Sequence, residues 1–174
     1  QCYGDPFFKL RDIKKPSPDR PYLLAQEAEN DLTNLLNNAD AKNFSGTVFE
    51  KRIAEIGVKV DEAGIRNAVI TEKEALAYAE CNDYQNAITR FESLLGMEQA
   101  GFSVKAIEKY CNIRAKLCVK NWQSNFEKSK QPGIMDKVIA DLKQLLNMSP
   151  TAERLSLLGS AYKRKAMISA NNAD

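Results

Sequence analysis

The sequence predicts an all-α fold of about seven antiparallel helices preceded by an extended segment. From residue 21 onward, apolar residues recur at helical spacing, and no period-2 strand of useful length is found. Four of the six prolines fall in the first 21 residues, where they remove backbone donors and favour extended backbone. The length of 174 residues and the hydrophobic content of 44% are enough for one core. We therefore expect a strand end and linker over residues 1–21, the tail of a preceding domain, and one helical domain over 22–174.

The first two helices are expected at about residues 21–38 and 47–63, paired as a helical hairpin. Pro21 suits the first turn of the first helix, because its missing N–H has no partner there in any case. One apolar stripe of this helix is formed by Leu24, Ala28, Leu32, Leu35 and Leu36. The corresponding stripe of the second helix, at steps of four, three and four, is formed by Phe49, Ile53, Ile56 and Val60.

The third and fourth helices are predicted to follow with a very short turn between them. Thr71 and Glu74 have the spacing of a capping box, which predicts a helix start near residue 72. This helix should end near Asn82 and Asp83, and the next should run over about 84–96. Its buried face is expected to contain Ala87, Ile88, Phe91, Leu94 and Leu95. A turn this short requires the two helices to be antiparallel.

Three more helices complete the predicted stack. A long one runs from about residue 103 into the 120s, with two adjacent apolar rows that imply neighbours on two sides. Pro132 and Gly133 are expected to break the chain before the sixth helix, which ends near Met148. Its apolar positions are Met135, Val138, Ile139, Leu142, Leu145 and Leu146. Pro150 opens the seventh helix, whose predicted inward residues are Leu155, Leu158, Tyr162 and Ala166.

The sequence contains no histidine, which narrows the possible chemistry. Ser/His/Asp and Cys/His nucleophile pairs, histidine acid–base catalysis and imidazole zinc sites are all excluded within this chain. No glycine-rich phosphate loop and no recognisable catalytic pair of carboxylates is found either. We therefore predict no enzyme activity, no catalytic residue, no metal site and no cofactor.

Charge is unevenly distributed along the chain. Residues 22–101 contain seven Lys and Arg against fourteen Asp and Glu, whereas residues 102–168 contain thirteen against five. An acidic partner for the basic half, mutual attraction of the two halves, or ordinary solvated helix faces would each explain this. Lys163, Arg164 and Lys165 beside Tyr162 suit a nucleic-acid patch, but they equally complement the dipole of a helix end.

The cysteines predict free thiols in a reducing compartment, because the four of them form no CxxC pair. Cys111 and Cys118 are seven residues apart on one helix, so their Cα atoms lie about 10.5 Å apart, too far for a disulfide. We expect both to be buried in apolar surroundings. The chain has no apolar run long enough to span a bilayer and no leader at its start, so a cytoplasmic location without membrane contact is expected.

The segment ALAYAECNDYQNAITRFESLL resembles a tetratricopeptide repeat (TPR). Ala75 and Ala87 occupy the small positions of the two helices, and Asn82 stands where glycine is usual in the turn. VIADLKQLLNMSP resembles the second helix of such a repeat, and LLGSAYKRKA resembles the first helix of another. The resemblance implies a superhelical stack in which the repeat-packing residues are Ala75, Tyr78, Tyr84, Ala87, Phe91, Gly159 and Tyr162.

The opening QCYGDPFFKLR resembles the closing strand of the caspase-like CHAT protease domain, through Tyr3, Gly4-Asp5-Pro6, Phe8 and Leu10. SVKAIEKYCNIRAKL and AERLSLLGSAYKRKA are similar to helical regions beside such domains in bacterial proteins. This resemblance implies that the chain is the helical region carboxy-terminal to a CHAT domain, whose catalytic Cys and His lie upstream of it.

The TPR resemblance also implies a binding groove lined by the first helix of each repeat. The matching positions here are Glu72, Leu76, Ala79, Glu80, Ser156, Ser160, Lys163 and Arg164. The family's clamp for acidic peptide termini needs Lys and Asn where Glu72 and Leu76 stand, so a neutral or mixed-charge peptide or helix is expected instead. The predicted function is non-catalytic protein binding, as a scaffold or sensor, with the upstream CHAT domain as one candidate partner. The alternatives are a nucleic-acid-binding module that uses the basic half and a histidine-free cysteine hydrolase.

Overall fold

The computed structural model describes residues 19–39, 46–97 and 103–170. These residues form seven α-helices and no strand, as the sequence predicts. The helices are α1 (Arg20–Ala39), α2 (Gly46–Glu62), α3 (Ala68–Glu80), α4 (Tyr84–Leu95), α5 (Val104–Gln123), α6 (Gln131–Met148) and α7 (Ala152–Ala170). The predicted extended segment lies outside the described residues up to residue 18, and its last two residues, Arg20 and Pro21, belong to α1.

Helix α1 packs more extensively on α3 than on α2, although the predicted pairing of α1 with α2 is also present. Asn67 Nδ2 donates to Glu29 Oε1 at 3.5 Å. Further along both helices, Lys73 Nζ donates to Thr33 Oγ1 at 2.8 Å. Since the residue numbers rise together in the two pairs, α1 and α3 run parallel. The predicted apolar stripe of α2 is wholly buried.

Helix α3 begins four residues earlier than the capping-box pattern predicts, so that prediction is wrong. Asn67 is the N-cap, and its side-chain oxygen accepts the N–H of Ile70 at 2.9 Å. Thr71 lies inside the first turn, where its hydroxyl donates to the carbonyl of Asn67 at 2.8 Å. Glu74 does not reach back to a cap, because its carboxylate pairs with arginines elsewhere. Asn67 therefore caps α3 in place of Thr71, the residue that the capping-box pattern predicts.

The turn between α3 and α4 is short, as predicted, and Asn82 within it is left-handed. Asn82 has φ of 62°, a conformation that asparagine tolerates better than most residues. Asp83 then caps α4 by accepting the N–H of Asn86. Four of the five predicted inward residues of α4 are buried, but Leu95 is exposed because α4 ends there, at the edge of the stack.

Helices α5 and α6 are antiparallel. Cys118 Sγ donates to the carbonyl of Gln131 at 3.1 Å, and Arg114 pairs with Asp141 at 2.7 Å, so numbers rise on one helix as they fall on the other. The sequence predicts that Pro132 and Gly133 break the chain before α6, and this prediction is wrong. They lie in its first turn, where proline gives up no hydrogen bond.

The inward face of α7 differs from the prediction. Leu155, Tyr162 and Ala166 are exposed, and only Leu158 of the predicted set is half-buried. The buried positions are Arg154, Ala161 and Ile168, seven residues apart on one face. Arg154 faces inward because its guanidinium bonds to Glu108 on α5 and to carbonyl groups at the end of α6. The ion pair between Arg154 and Glu108 therefore decides which face of α7 points into the core. The spacing of apolar residues alone does not predict this orientation.

The core consists of two clusters that share α5. One joins α1 to α4 with the inward residues Ala106 and Ile113 of α5, and the other joins α5, α6 and α7 around Cys111 and Cys118. The odd-numbered helices form a row in which α1 packs on α3, α3 on α5, and α5 on α7. Each even-numbered helix packs beside this row. Because α5 belongs to both clusters, it links the two halves of the fold.

A buried carboxylate and its arginine partners connect α2, α3 and α4. Glu74 of α3 is fully buried, and its Oε2 lies 2.5 Å from Arg66 Nη1 and 3.2 Å from Arg90 Nε. Arg66 also binds Asp61 at the end of α2, which holds the pKa of that carboxyl below its usual value. The other Glu74 oxygen, Oε1, has no hydrogen-bond partner among the described residues and faces Gly57 of α2. A Cβ atom at Gly57 would lie 2.9 Å from that oxygen, so glycine permits the close approach of α2 and α3.

Candidate binding groove

A groove of about 460 Å³ crosses the odd-numbered helices on one side of the molecule. Its lining comes from all four of them, α1, α3, α5 and α7. The apolar lining residues are Leu36, Leu76, Ala106 and Leu157, one from each helix. The polar lining residues are Glu72, Glu80, Ser103, Lys105, Glu108, Lys109, Asn112 and Glu153. The groove therefore has an apolar line across it and charges of both signs along its walls.

Two contacts link α3 to α5 along this surface. Ser103 Oγ donates to Glu72 Oε1 at 2.7 Å, and Lys109 Nζ pairs with Glu80 Oε1 at 2.6 Å. The residue numbers on α3 and on the segment of α5 increase together from the first contact to the second, so the two helices are parallel. Within the part of the chain that the structure describes, the pair between Lys109 and Glu80 is the one ion pair that joins the acidic half to the basic half.

The floor between α5 and α7 is fixed by a buried ion pair. Arg154 Nε lies 2.6 Å from Glu108 Oε1, and both side chains are about nine-tenths buried. The same guanidinium donates to the carbonyls of Leu145 and Ser149 at the end of α6, and the Leu145 carbonyl also accepts the N–H of Ser149. Because these additional hydrogen bonds satisfy the guanidinium, the pair tolerates burial. Arg154 thus holds the groove floor and the end of α6 in one arrangement.

Three polar groups on the groove are available to a partner. In the described residues, Lys105 of α5 and Glu153 of α7 form no ion pair or side-chain hydrogen bond, and both line the groove. Asn112 Oδ1 accepts a hydrogen bond from Arg164 Nη1 at 3.4 Å, and its amide N–H groups donate to no other described residue. A side-chain amide that faces a groove can pair with a peptide backbone, which offers one donor and one acceptor per residue.

The structure distributes the predicted groove residues unevenly. Glu72, Leu76 and Glu80 line the groove, whereas Ala79 is buried behind it. On α7, Ser156 and Lys163 are exposed and Ser160 is half-buried, but none of the three is a lining residue. Arg164 reaches the groove through Asn112.

Sequence reasoning missed the contribution of α5, which together with its N-cap Ser103 supplies half of the lining. A polar stripe on α5, beside its two apolar rows, is the sequence pattern that indicates these groove residues. It consists of residues at helical positions i, i+3, i+4 and i+7, namely Lys105, Glu108, Lys109 and Asn112. The repeat resemblance offered no aligned copy over α5, and therefore no groove position was assigned to it.

The predicted repeat-packing residues fall into two groups. Ala75, Tyr78, Ala87 and Phe91 are buried at the contact of α3 with α4, and Tyr84 is half-buried beside them, with Lys116 Nζ 5.4 Å from its ring centroid. Gly159 and Tyr162 on α7 are exposed instead. A Cβ atom added at Gly159 would meet nothing within 4 Å.

The three described cysteines have free thiols whose pKa is raised by burial. Cys111 and Cys118 are free and buried, and burial raises the pKa of each to about 11. Cys81 is free and half-buried, and burial raises its pKa also. No group of three His, Cys, Asp or Glu side chains that could hold a metal ion occurs among the described residues. None of the described helices is long and apolar enough to cross a membrane.

Comparison with known proteins gives one match. The family model described as Tetratricopeptide Repeats-Sensor (TPR-S) matches residues 83–174, more than half of the chain. This range covers α4 to α7 and therefore the α5 and α7 walls of the groove. No curated protein and no solved structure matches the chain.

Proposed function

The chain belongs to the tetratricopeptide repeats-sensor family, and from this premise we propose that its groove binds a peptide or helix from a protein partner without catalysing a reaction. Repeats of this type generally mediate protein–protein interactions. The observation that carries the proposal is the groove itself, which four parallel helices line and which combines an apolar line with unpaired polar groups. Stacked repeats commonly bind their ligands along such concave surfaces.

The charges of the groove favour a partner of mixed charge. Lys105 and Glu153 lie on neighbouring helices with neither neutralised, so a partner segment with one acidic and one basic side chain would satisfy both. Leu36, Leu76 and Leu157 would take its apolar side chains. A purely acidic segment would meet the carboxylates of the groove walls and be repelled.

We also propose that this module is a scaffold or sensor region of a larger bacterial protein with a CHAT protease domain on its amino-terminal side. Support comes from the opening motif with Tyr3, Gly4-Asp5-Pro6 and Phe8, which lies outside the described residues. The free thiols of Cys111 and Cys118 support a reducing, cytoplasmic setting. Determining the sequence that precedes Gln1 tests this proposal, since a Cys/His dyad is expected there, and its absence would overturn the CHAT assignment.

A peptide selection tests the groove. A displayed library of random peptides is selected on the protein, and the dissociation constants of the recovered peptides are measured by fluorescence anisotropy. We expect mixed-charge amphipathic sequences, and we expect Leu157→Lys to weaken their binding by about tenfold or more, since it places a charge on the apolar line. A charge reversal, Glu153→Lys, should shift the preference toward acidic peptides.

The matched control is Val58→Lys, at an exposed apolar position of α2 outside the groove. This variant should bind the selected peptides as the unmodified chain does. If both lysine variants bind equally well, the peptides occupy another surface and the groove proposal is wrong. Selective binding of an oligonucleotide, with an affinity that falls steeply with salt, would favour the nucleic-acid alternative.

A further inference from the structure

A second cavity lies on the opposite side of α5 from the groove. Helices α4 and α6 both pack on α5, but their described residues do not contact each other, and a cleft of about 410 Å³ lies between them. This volume is within the range of small-molecule sites. The apolar lining residues are Phe91, Leu95, Ala106, Ile107, Tyr110, Cys111, Leu145 and Met148. The polar lining residues are Arg114, Asp141 and Gln144.

The walls suit a flat apolar group. Leu95 is 54% exposed and Met148 is 79% exposed at the rim, so a ligand that covers them removes apolar surface from water. The floor includes Phe91 and Tyr110, whose ring centroids are 5.5 Å apart in a tilted arrangement. An aromatic ligand ring can extend this contact, and the flexible thioether of Met148 can pack on its face or edge.

The polar end offers both a donor and an acceptor. Arg114 Nη1 donates to Asp141 Oδ2 at 2.7 Å, and this is the one hydrogen bond of the Arg114 guanidinium among the described residues. A guanidinium has five N–H groups in a planar fork, so donors remain for a ligand. In the same part of the chain, Asp141 Oδ1 accepts no hydrogen bond. Gln144 adds an amide at the same end of the cleft.

The two charged side chains that line the cleft, Arg114 and Asp141, compensate each other, which argues against a charged ligand. Glu92 accepts a hydrogen bond from the Tyr110 hydroxyl at 3.4 Å but is not a lining residue. Burial raises the pKa of Cys111 to about 11 and also raises that of Tyr110, so both floor groups are uncharged near neutral pH. A carboxylate would be repelled by Asp141, and an ammonium by Arg114.

We propose that this cleft binds a small neutral aromatic molecule that carries a carboxamide or similar edge, with one acceptor for Arg114 and one donor for Asp141. The site is distinct from the peptide groove, from which α5 separates it. The ring packs between α4 and α6, and the amide edge points toward the ion pair.

Benzamide, benzoate and benzylammonium form a matched set of probes, because they share a ring and differ in the charge of the substituent. Each is titrated into the ¹⁵N-labelled protein, and the amide chemical shifts are followed by NMR. We expect saturable shifts with benzamide below about 50 mM, a usual range for a ligand of so few atoms. The shifts should cluster on the cleft residues of α4, α5 and α6, and the other two probes should bind several-fold more weakly.

A filling variant and a matched control locate the site. Leu95→Trp places a large ring at the exposed rim, and Val69→Trp places the same ring on α3 at a position that is 50% exposed and outside the cleft. We expect the first to weaken benzamide binding about tenfold and the second to leave it unchanged. Arg114→Lys, which keeps the charge but loses the planar fork, should also weaken binding. Equal binding to both tryptophan variants, a preference for either charged probe, or no saturable shift would each overturn the proposal.

Discussion

Replacing Gly57 by alanine tests the close approach of α2 to the buried carboxylate of α3. In most exposed helix interiors this change stabilises a protein, because alanine has the higher helix propensity. At Gly57 the new Cβ would lie 2.9 Å from Glu74 Oε1, a distance that real Cβ atoms essentially never show. Glu74 cannot retreat easily, since Arg66 and Arg90 hold its other oxygen. We therefore expect Gly57→Ala to destabilise the fold.

The magnitude follows from two opposing contributions. The gain in helix propensity is up to about 1 kcal/mol, and overpacking at a buried site costs about 1–3 kcal/mol. The net result is a loss of about 1 kcal/mol in the free energy of unfolding. Gly159 of α7 is the matched control, because a Cβ added there meets nothing within 4 Å. Gly159→Ala should gain about 0.5–1 kcal/mol, so the two variants should differ by nearly 2 kcal/mol.

Thermal and urea unfolding, followed by far-ultraviolet circular dichroism, measure this difference. For a chain of this size it corresponds to a separation of about 4–8 °C in Tm. In a Glu74→Asp background the shorter carboxylate withdraws from Gly57, and Gly57→Ala should then no longer destabilise. If Gly57→Ala raises Tm as much as Gly159→Ala does, α2 is not held against Glu74 and the described contact is wrong.

Three further predictions concern the core and the groove floor. Phe91→Ala should cost about 3–5 kcal/mol in urea unfolding, because it empties a fully buried aromatic site between α3 and α4, and a loss below about 1 kcal/mol would contradict the packing. Cys111 and Cys118 should react slowly with a disulfide reagent near pH 7.5, and faster as pH rises toward their pKa of about 11, because the thiolate is the reactive form. The stability that the neutral thiols contribute is fully present below their unfolded pKa of about 8.5, and it is lost as pH rises through the folded pKa. Fast modification of either thiol at neutral pH would instead place it at the surface. Arg154→Ala should cost about 3–5 kcal/mol, because it leaves Glu108 buried without a counter-charge, and Arg154→Ala combined with Glu108→Gln should recover part of that loss.

The helical architecture was predictable because it rests on periodicity. Each of the seven predicted helices is present, and the buried stripe of α2 and the left-handed turn at Asn82 follow the sequence directly. Two of the errors have a common physical cause, since each involves a polar group that overrides an apolar or capping pattern. Asn67 caps α3 before Thr71 can, and Arg154 turns α7 so that Leu155 faces solvent.

The groove was predictable only where a repeat copy could be aligned. Glu72, Leu76 and Glu80 were assigned from α3, where the resemblance is strongest, and they line the groove. The α5 wall required knowledge of which helix lies beside α3, and contacts such as that between Lys109 and Glu80 join residues far apart in the sequence. Such neighbours follow from the stacking of helices rather than from local pattern.

Helix α5 is a shared wall between two cavities. Ala106 is almost fully buried and lines both the groove and the cleft, so only one helix separates the two cavities. A displacement of α5 that widens one cavity narrows the other. We therefore expect the two occupants to weaken each other's binding, and thermodynamic linkage requires the factor to be the same in both directions. Titrating benzamide with and without a bound groove peptide measures that factor, and a ratio of one would mean that α5 behaves as a rigid partition.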